Sequence, residues 1–280
     1  MSPHRPEKIL VAGDVERALQ EDVGSGDLTA SLIMEDTRSS AKIVCREACI
    51  LAGRPWFEEV FRQLDEAVLI EWFAEDGQPL KSADHVCRIT GPGRPIVTGE
   101  RTALNFLQSL SGTATVTRRF VDLIASANTT ILDTRKTVPG LRAAQKYAVL
   151  CGGGQNHRMG LFDAVLIKEN HIAAAGSITQ AIANIREHHA VPIEVEVEDL
   201  QELNEALSAQ ADIVLLDNFD LSDIRKAVGL TAGRAKLEVS GGVDEKTLLD
   251  IAQTGVDYVS IGALTKHIKA IDFSMRFANI

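Results

Sequence analysis

Aromatic residues are scarce in this 280-residue chain: 5% of the total, with two Trp and two Tyr. Stacking platforms for single-stranded nucleic acid need interleaved aromatics along a basic groove. Positive charge is also short. Lys and Arg number 29 against 39 Asp and Glu, a net charge of −10, which suits neither a general nucleic-acid binder nor an anionic membrane surface. No apolar run approaches the ~20 residues of a membrane span. Cysteine is limited to Cys45, Cys49, Cys87 and Cys151, with no Cys-x-x-Cys pair and no His pair at zinc spacing beside them. They are expected as reduced, packing thiols, Cys151 included. The opening MSPHRPEKIL is polar and lacks the apolar stretch of a signal peptide, so a cytoplasmic protein is expected.

What is present is an ordinary globular composition, 45% hydrophobic and 24% charged. The length suits one large domain or two modest ones. Up to about residue 110 the chain reads as an α+β domain with an antiparallel sheet. A polar helical stretch comes first, then EDVGSGDLTASLI, where Asp27 or Thr29 is placed to cap a helix. Strands are expected at AKIVCREACILAG, AVLIEWFAEDG and HVCRITGP, with a helix at PWFEEVFRQL. Within the first of these strands Cys45 and Cys49 would face the same side. GPGRP at 91–95 is the strongest breaker before a long helical pattern, GERTALNFLQSLSGTATVTRRFVDLIASA.

From residue 130 short β-rich runs alternate with helical stretches: TILDT, AVLIK, PIEVEVE, DIVLLD, KLEVS and DYVSIG. They end at Arg135, Lys168, Glu196, Asp217, Ser240 and Gly262, at intervals of 33, 28, 21, 23 and 22 residues. That is the rhythm of βα units, and near-continuous apolar runs are what strands buried on both faces require. Barrel closure needs seven or eight strands and six are readable. None looks like a polar edge, which favours closure over an open sheet.

Ligands of parallel sheets bind at the carboxyl ends of the strands, and every readable strand here ends in chemistry. Arg135-Lys136, Lys168-Glu169-Asn170, Glu196, Asp217-Asn218, Ser240-Gly241-Gly242 and Ile261-Gly262-Ala263 occupy equivalent positions. Any one of them reads equally well as a helix cap; six together point to a shared site. SGGV and SIGAL follow the last two strands and are expected to feed helix N-termini, as a phosphate cradle does. Residues 134–168 hold six Lys and Arg against one acid, Asp163, so the ligand is read as a multiply charged anion. Arg142 and Lys146 are assigned to a solvated helix face. Arg135, Lys136 and Lys168, with His157-Arg158 after the CGGGQN loop, are kept for the ligand. Glu194, Glu196 and Glu198 alternate along one strand; Glu196 is favoured as the functional member from its depth, with Glu198 as the fallback. Glu196 and Asp217 then face a polyphosphate, where hard carboxylates hold Mg²⁺ or ribose hydroxyls.

The stretches EDVGSGDLT, ERTALNFLQSLSGTAT, ILDTRKTVPGLRAAQKYAVLCGGGQNHRMGLFDAVLIKENH, IEVEVEDLQEL, IVLLDNF, LEVSGGV and DYVSIGALTKH resemble the quinolinate phosphoribosyltransferases, over about residues 21–267. The resemblance implies an N-terminal α/β sandwich over residues 1–112, with the tail 271–280 packing back on it. A seven-stranded α/β barrel follows over 113–270. It also implies phosphoribosyl transfer from phosphoribosyl pyrophosphate to quinolinate with decarboxylation, giving nicotinate mononucleotide in NAD biosynthesis. Arg101, Thr134, Arg135, Lys136, His157, Arg158 and Lys168 match quinolinate-binding positions. Glu196, Asp217, Ser240, Gly241, Gly242, Ile261, Gly262 and Ala263 match phosphoribosyl pyrophosphate positions. Lys136, Lys168, Glu196 and Asp217 form the implied catalytic set, with Mg²⁺ on Glu196 and Asp217. Dimers or hexamers are implied, with Arg101 acting across the interface; by its own surroundings in the sequence Arg101 reads only as a solvated helical residue.

The residues also admit a paralogous pyrophosphorylase acting on another base, an aldolase using Lys168 as a Schiff base, and a non-catalytic phosphoribosyl-ligand binding protein. The three arginines Arg101, Arg135 and Arg158 favour a dicarboxylate over other bases. A pyridine nitrogen is itself the nucleophile, which agrees with a chain that shows no convincing catalytic triad.

Overall fold

A computed structural model describes residues 6–277; the ends MSPHR and 278–280, the latter part of the expected tail, lie outside the described residues. Helix α1 spans Lys8–Val23. Asp27 then accepts the N–H groups of Thr29 and Ala30 and caps a single 3-10 turn, Ala30–Leu32. Strands β1 (Arg38–Cys45), β2 (Cys49–Ile50), β3 (Leu69–Trp72), β4 (Pro79–Leu80) and β5 (His85–Pro92) follow, with α2 (Arg54–Leu64) between β2 and β3. α3 is a single helix from Gly93 to Leu123. The alternation of βα units begins after it. β6 (Thr130–Leu132) precedes α4 (Arg142–Gly152), and β7 (Val165–Ile167) precedes α5 (Glu169–Ala175) and α6 (Ile178–His188). Then come β8 (Ile193–Val197), α7 (Leu200–Ser208), β9 (Ile213–Asp217) and α8 (Leu221–Thr231). Last are β10 (Lys236–Ser240), α9 (Leu248–Ala252), β11 (Tyr258–Ser260), α10 (Ala263–Lys266) and β12 (Phe273–Phe277).

The chain divides into two compact units that interleave along the sequence. The first gathers residues 1–118, 137–153 and 264–280. Its antiparallel sheet has the order β12-β1-β5-β3, so the last strand of the chain lies against the first. Trp56, Phe57, Phe61, Ile43 and Ile89 fill the core, with Phe57 against Trp72 at 5.3 Å between ring centres. α4 belongs here because Ala144, Tyr147, Ala148 and Cys151 form one buried stripe at helical spacing. Tyr147 donates to Asp76 at 2.7 Å and its ring meets Trp56 at 5.6 Å.

Three local expectations change. AKIVCREACILAG is not one strand: β1 ends at Cys45, and β2 belongs to a separate two-stranded sheet with β4, though the Cys45 and Cys49 sulfurs still meet at 3.6 Å. GPGRP makes no loop. β5 runs through Pro92 and α3 starts at Gly93, where a Cβ would press on Ser39 Oγ at 2.8 Å. Lys146 is not on a solvated face but fully buried, on a helix whose residues 144–149, 151 and 152 are all buried and which therefore offers no solvated face there.

The second unit comprises residues 119–136 and 154–263. All six expected parallel strands are present, in the order β6-β11-β10-β9-β8-β7. The last strand, β11, pairs with the first, β6, which is the closing step of an α/β barrel. Gln155 supplies the extended segment not readable in the sequence: it bridges Leu132 in parallel, on the chain between β6 and β7. A single bridged residue has no period to detect.

Candidate active site

The parallel registers bring the strand ends to one edge. Ser240 on β10 lies beside Asp217 on β9, and Lys168 directly follows β7, whose Ile167 pairs with Val195, the neighbour of Glu196 on β8. Lys168 Nζ and the Glu196 carboxylate form an ion pair across that register. Glu196 and Asp217 are half-buried, whereas Glu198 lies beyond the end of β8 and is exposed. Asp217 accepts from Asn218 Nδ2 at 2.9 Å.

Thr134, Arg135 and Lys136 follow β6. Thr134 Oγ1 accepts the Lys136 N–H at 3.1 Å, which turns the chain so that the Lys136 side chain passes over Gly262. A Cβ at Gly262 would come within 2.9 Å of Lys136 Cδ, so this glycine serves the lysine's path. Directly after β10, Gly241 has φ +95° and a Cβ there would overlap Asn218 Oδ1, so glycine is required on both counts. Gly241 and Gly242 both have positive φ, a tight turn that leaves no side chain between the backbone and a ligand. The two expected helix N-termini part company: after SIGAL, α10 begins at Ala263 as expected, though it is only four residues long. After SGGV the helix is delayed, α9 starting only at Leu248, because Asp244 draws the N–H groups of Lys246 and Thr247 into a turn first. At Ser240–Gly242 any cradle is therefore backbone turn.

His157 and Arg158 follow Gln155. The His157 N–H donates to Asp133 Oδ1 at 2.9 Å. Its Nδ1 accepts the Arg158 N–H at 2.8 Å, and its Nε2 lies 2.8 Å from Glu194 Oε2. Both ring nitrogens are thus turned to protein groups, and the ring is a mount as much as a contact. Burial, and next the charge of Arg135, hold the Arg158 guanidinium below its ordinary pKa. Arg101 is exposed on α3, in the first unit.

Sequence reasoning missed two acids. Glu194 was seen only as part of an alternation, and Glu238 not at all. Burial, and next the charge of Glu194, push the Glu238 carboxyl up to about 8. The available signal was an acid at an inward position of the apolar run KLEVS.

Two family models cover nearly the whole chain: Quinolinate phosphoribosyl transferase, N-terminal domain, over residues 27–111, and C-terminal domain over 113–276. A probable nicotinate-nucleotide pyrophosphorylase [carboxylating] of Bacillus subtilis is 43% identical over 257 residues, 91% of this chain and 89% of that one. The chloroplastic nicotinate-nucleotide pyrophosphorylase [carboxylating] of rice is 40% identical, over 94% of this chain and 76% of the relative. The solved nicotinate-nucleotide pyrophosphorylase of Francisella tularensis superposes with a TM-score of 0.93 at 48% identity, covering 99% of both chains. On the strength of these matches the chain belongs to the quinolinate phosphoribosyltransferase family.

Proposed function

We propose that this protein transfers phosphoribosyl from phosphoribosyl pyrophosphate to quinolinate and releases CO₂ and pyrophosphate, forming nicotinate mononucleotide. The observation that carries the reading is the single rim on which Arg135, Lys136, Lys168, Glu196, Asp217 and the Gly241-Gly242 turn all lie, at the carboxyl ends of adjacent parallel strands. Arg135 and Arg158 take the two substrate carboxylates, with Thr134 and His157 beside them. Lys136 and Lys168 serve both substrates. The backbone at Ser240–Gly242 and Ile261–Ala263 holds the phosphates.

The pyridine nitrogen forms its bond to ribose C1 as the C1–O bond breaks, the electron pair leaving with pyrophosphate. The nitrogen has no proton to lose, so no base is required. Catalysis is positioning together with charge placed where charge develops. Lys136 meets the departing pyrophosphate, while Glu196 and Asp217 stand near the cationic ribose. The resulting pyridinium draws electrons from C2, the C2–carboxylate bond breaks to give CO₂, and C2 takes up a proton.

Glu196 and Asp217 fit Mg²⁺ by their donor chemistry: two partly exposed carboxylates on neighbouring strand ends, enough for an ion that keeps several waters. When bound, Mg²⁺ would neutralise pyrophosphate charge. The chain acts as a homodimer or hexamer in this reading, Arg101 reaching a partner's site, and it works in the cytoplasm, where free thiols such as its four cysteines stay reduced. Incubation with quinolinate, phosphoribosyl pyrophosphate and Mg²⁺ tests it: nicotinate mononucleotide and CO₂ appear in equal amounts, and absence of both overturns the reading.

A further inference from the structure

Beneath the rim lies a second acidic tier. Side chains alternate along a strand, so Glu194 sits one step below Glu196 on β8, and Glu238 one step below Ser240 on β10. Glu194 is 5% exposed and Glu238 1%. Barrel interiors are ordinarily filled with branched apolar side chains, and buried carboxylates are costly unless they are paired. Glu194 Oε1 and Glu238 Oε1 have no hydrogen-bond partner. The partner the two residues share is His157, whose Nε2 lies 2.8 Å from Glu194 Oε2 and 3.7 Å from Glu238 Oε2.

The three groups approach one another closely enough to hold a cation. The histidine argues against it. Its Nδ1 accepts the Arg158 N–H, so in the neutral ring the proton sits on Nε2 and points at Glu194. A metal would need the lone pair that this tautomer does not offer there.

The consequence runs toward the rim instead. Glu194 fixes the ring plane, the ring fixes the Arg158 N–H, and Asp133 fixes the His157 N–H. The backbone from which Arg158 departs is thereby pinned on both sides of the turn.

We propose that Glu194 and Glu238 are positioning residues for the dicarboxylate site: acting through His157, they set Arg158 against Arg135 and so fix the gap that quinolinate fills. This rests on the reading of Arg135 and Arg158 as the carboxylate clamp. It makes the second acidic tier a determinant of selectivity for a dicarboxylate over a pyridine monocarboxylate.

The test compares Glu194→Leu, which removes the acceptor, with Glu194→Gln, which keeps one. In Glu194→Leu the KM for quinolinate rises about tenfold or more, as for a buried donor left unpaired. The KM for phosphoribosyl pyrophosphate stays within about twofold, and Glu194→Gln recovers most of the loss. Equal rises in both KM values, or no recovery in Gln, overturn the proposal, since a merely structural role has no reason to separate the substrates. The unmodified enzyme gives a reading independent of any variant's folding. Nitrogen-15 NMR, with the His157 signal assigned by its loss in His157→Gln, shows the proton on Nε2 and Nδ1 as the acceptor. An Nδ1-protonated or metal-shifted ring overturns the proposal. Arg158→Ala run alongside separates the two failures. If it leaves quinolinate binding intact, the clamp reading falls; if it abolishes binding while Glu194→Leu does not, only the positioning role falls.

Discussion

The Lys168 ammonium is paired with the Glu196 carboxylate across the ends of neighbouring strands. Each group is thus held ready in a form the substrates can take over. In the proposed reaction the lysine would turn to phosphate or carboxylate and the glutamate to ribose or a cation. Glu196→Gln and Lys168→Ala should each lower kcat/KM by about a hundredfold or more. The double variant should lose little beyond the worse single one, because the two act as a unit. Steady-state kinetics on the three variants checks this; additive losses contradict it.

Gly262 gives room to Lys136. Gly262→Ala brings a methyl against the lysine's Cδ, at 2.9 Å before any adjustment. The side chain must move, and turnover should fall about tenfold with quinolinate affinity little changed, since charge on pyrophosphate grows toward the transition state. Lys136→Ala should show the same pattern more strongly. A larger effect on affinity than on kcat in either variant would contradict the assignment.

Gly241→Ala meets both an unfavourable left-handed backbone and the Asn218 side chain. A loss of stability of about 1–3 kcal/mol is expected. It should come with a raised KM for phosphoribosyl pyrophosphate and an unchanged KM for quinolinate. Urea unfolding and kinetics together check it.

The Glu238 carboxyl, at about 8 in the folded protein against an ordinary 4.5, binds its proton more tightly when folded. Its contribution to stability is therefore fully present below about pH 4.5 and is lost as pH rises to about 8, because the folded state keeps a proton that the unfolded state has released. Glu194, His157 and Ser260 surround it. Glu238→Gln removes this dependence. Its stability relative to the unmodified protein should improve steadily from pH 5 to 8 and then level off. A difference independent of pH would show that Glu238 ionises ordinarily.

Arg101 supports a test by complementation. If it completes a partner's site, Arg101→Ala and Lys136→Ala protomers, each inactive alone, should regain activity on mixing. About a quarter of full activity is expected, since half the assemblies are mixed and carry one intact site of two. No recovery after verified subunit exchange would place Arg101 in its own protomer's chemistry.

The barrel was readable because strands buried on both faces leave unbroken apolar runs, and β6 to β11 all fall where those runs stand. The rim was readable for a related reason: a polar residue ending an apolar run is conspicuous. Burial inside a barrel is not. Lys146 looks like any helical lysine, and Glu238 looks like one acid in a strand, until partners from other segments are known. The contribution of Gln155 is one bridged residue, beneath any pattern. Helix starts after SGG were misjudged because Asp244 competes for the backbone N–H groups that a helix would have freed.

The pairing of β12 with β1 sets a condition on biosynthesis. A ribosome releases Phe273–Phe277 more than two hundred residues after Arg38–Cys45. Until then β1 is an open border of its sheet, with backbone groups free to capture another nascent strand. The sheet that β1 opens is therefore completed only once β12 has emerged, and loss of Phe273–Phe277 would be felt at Ala41–Cys45.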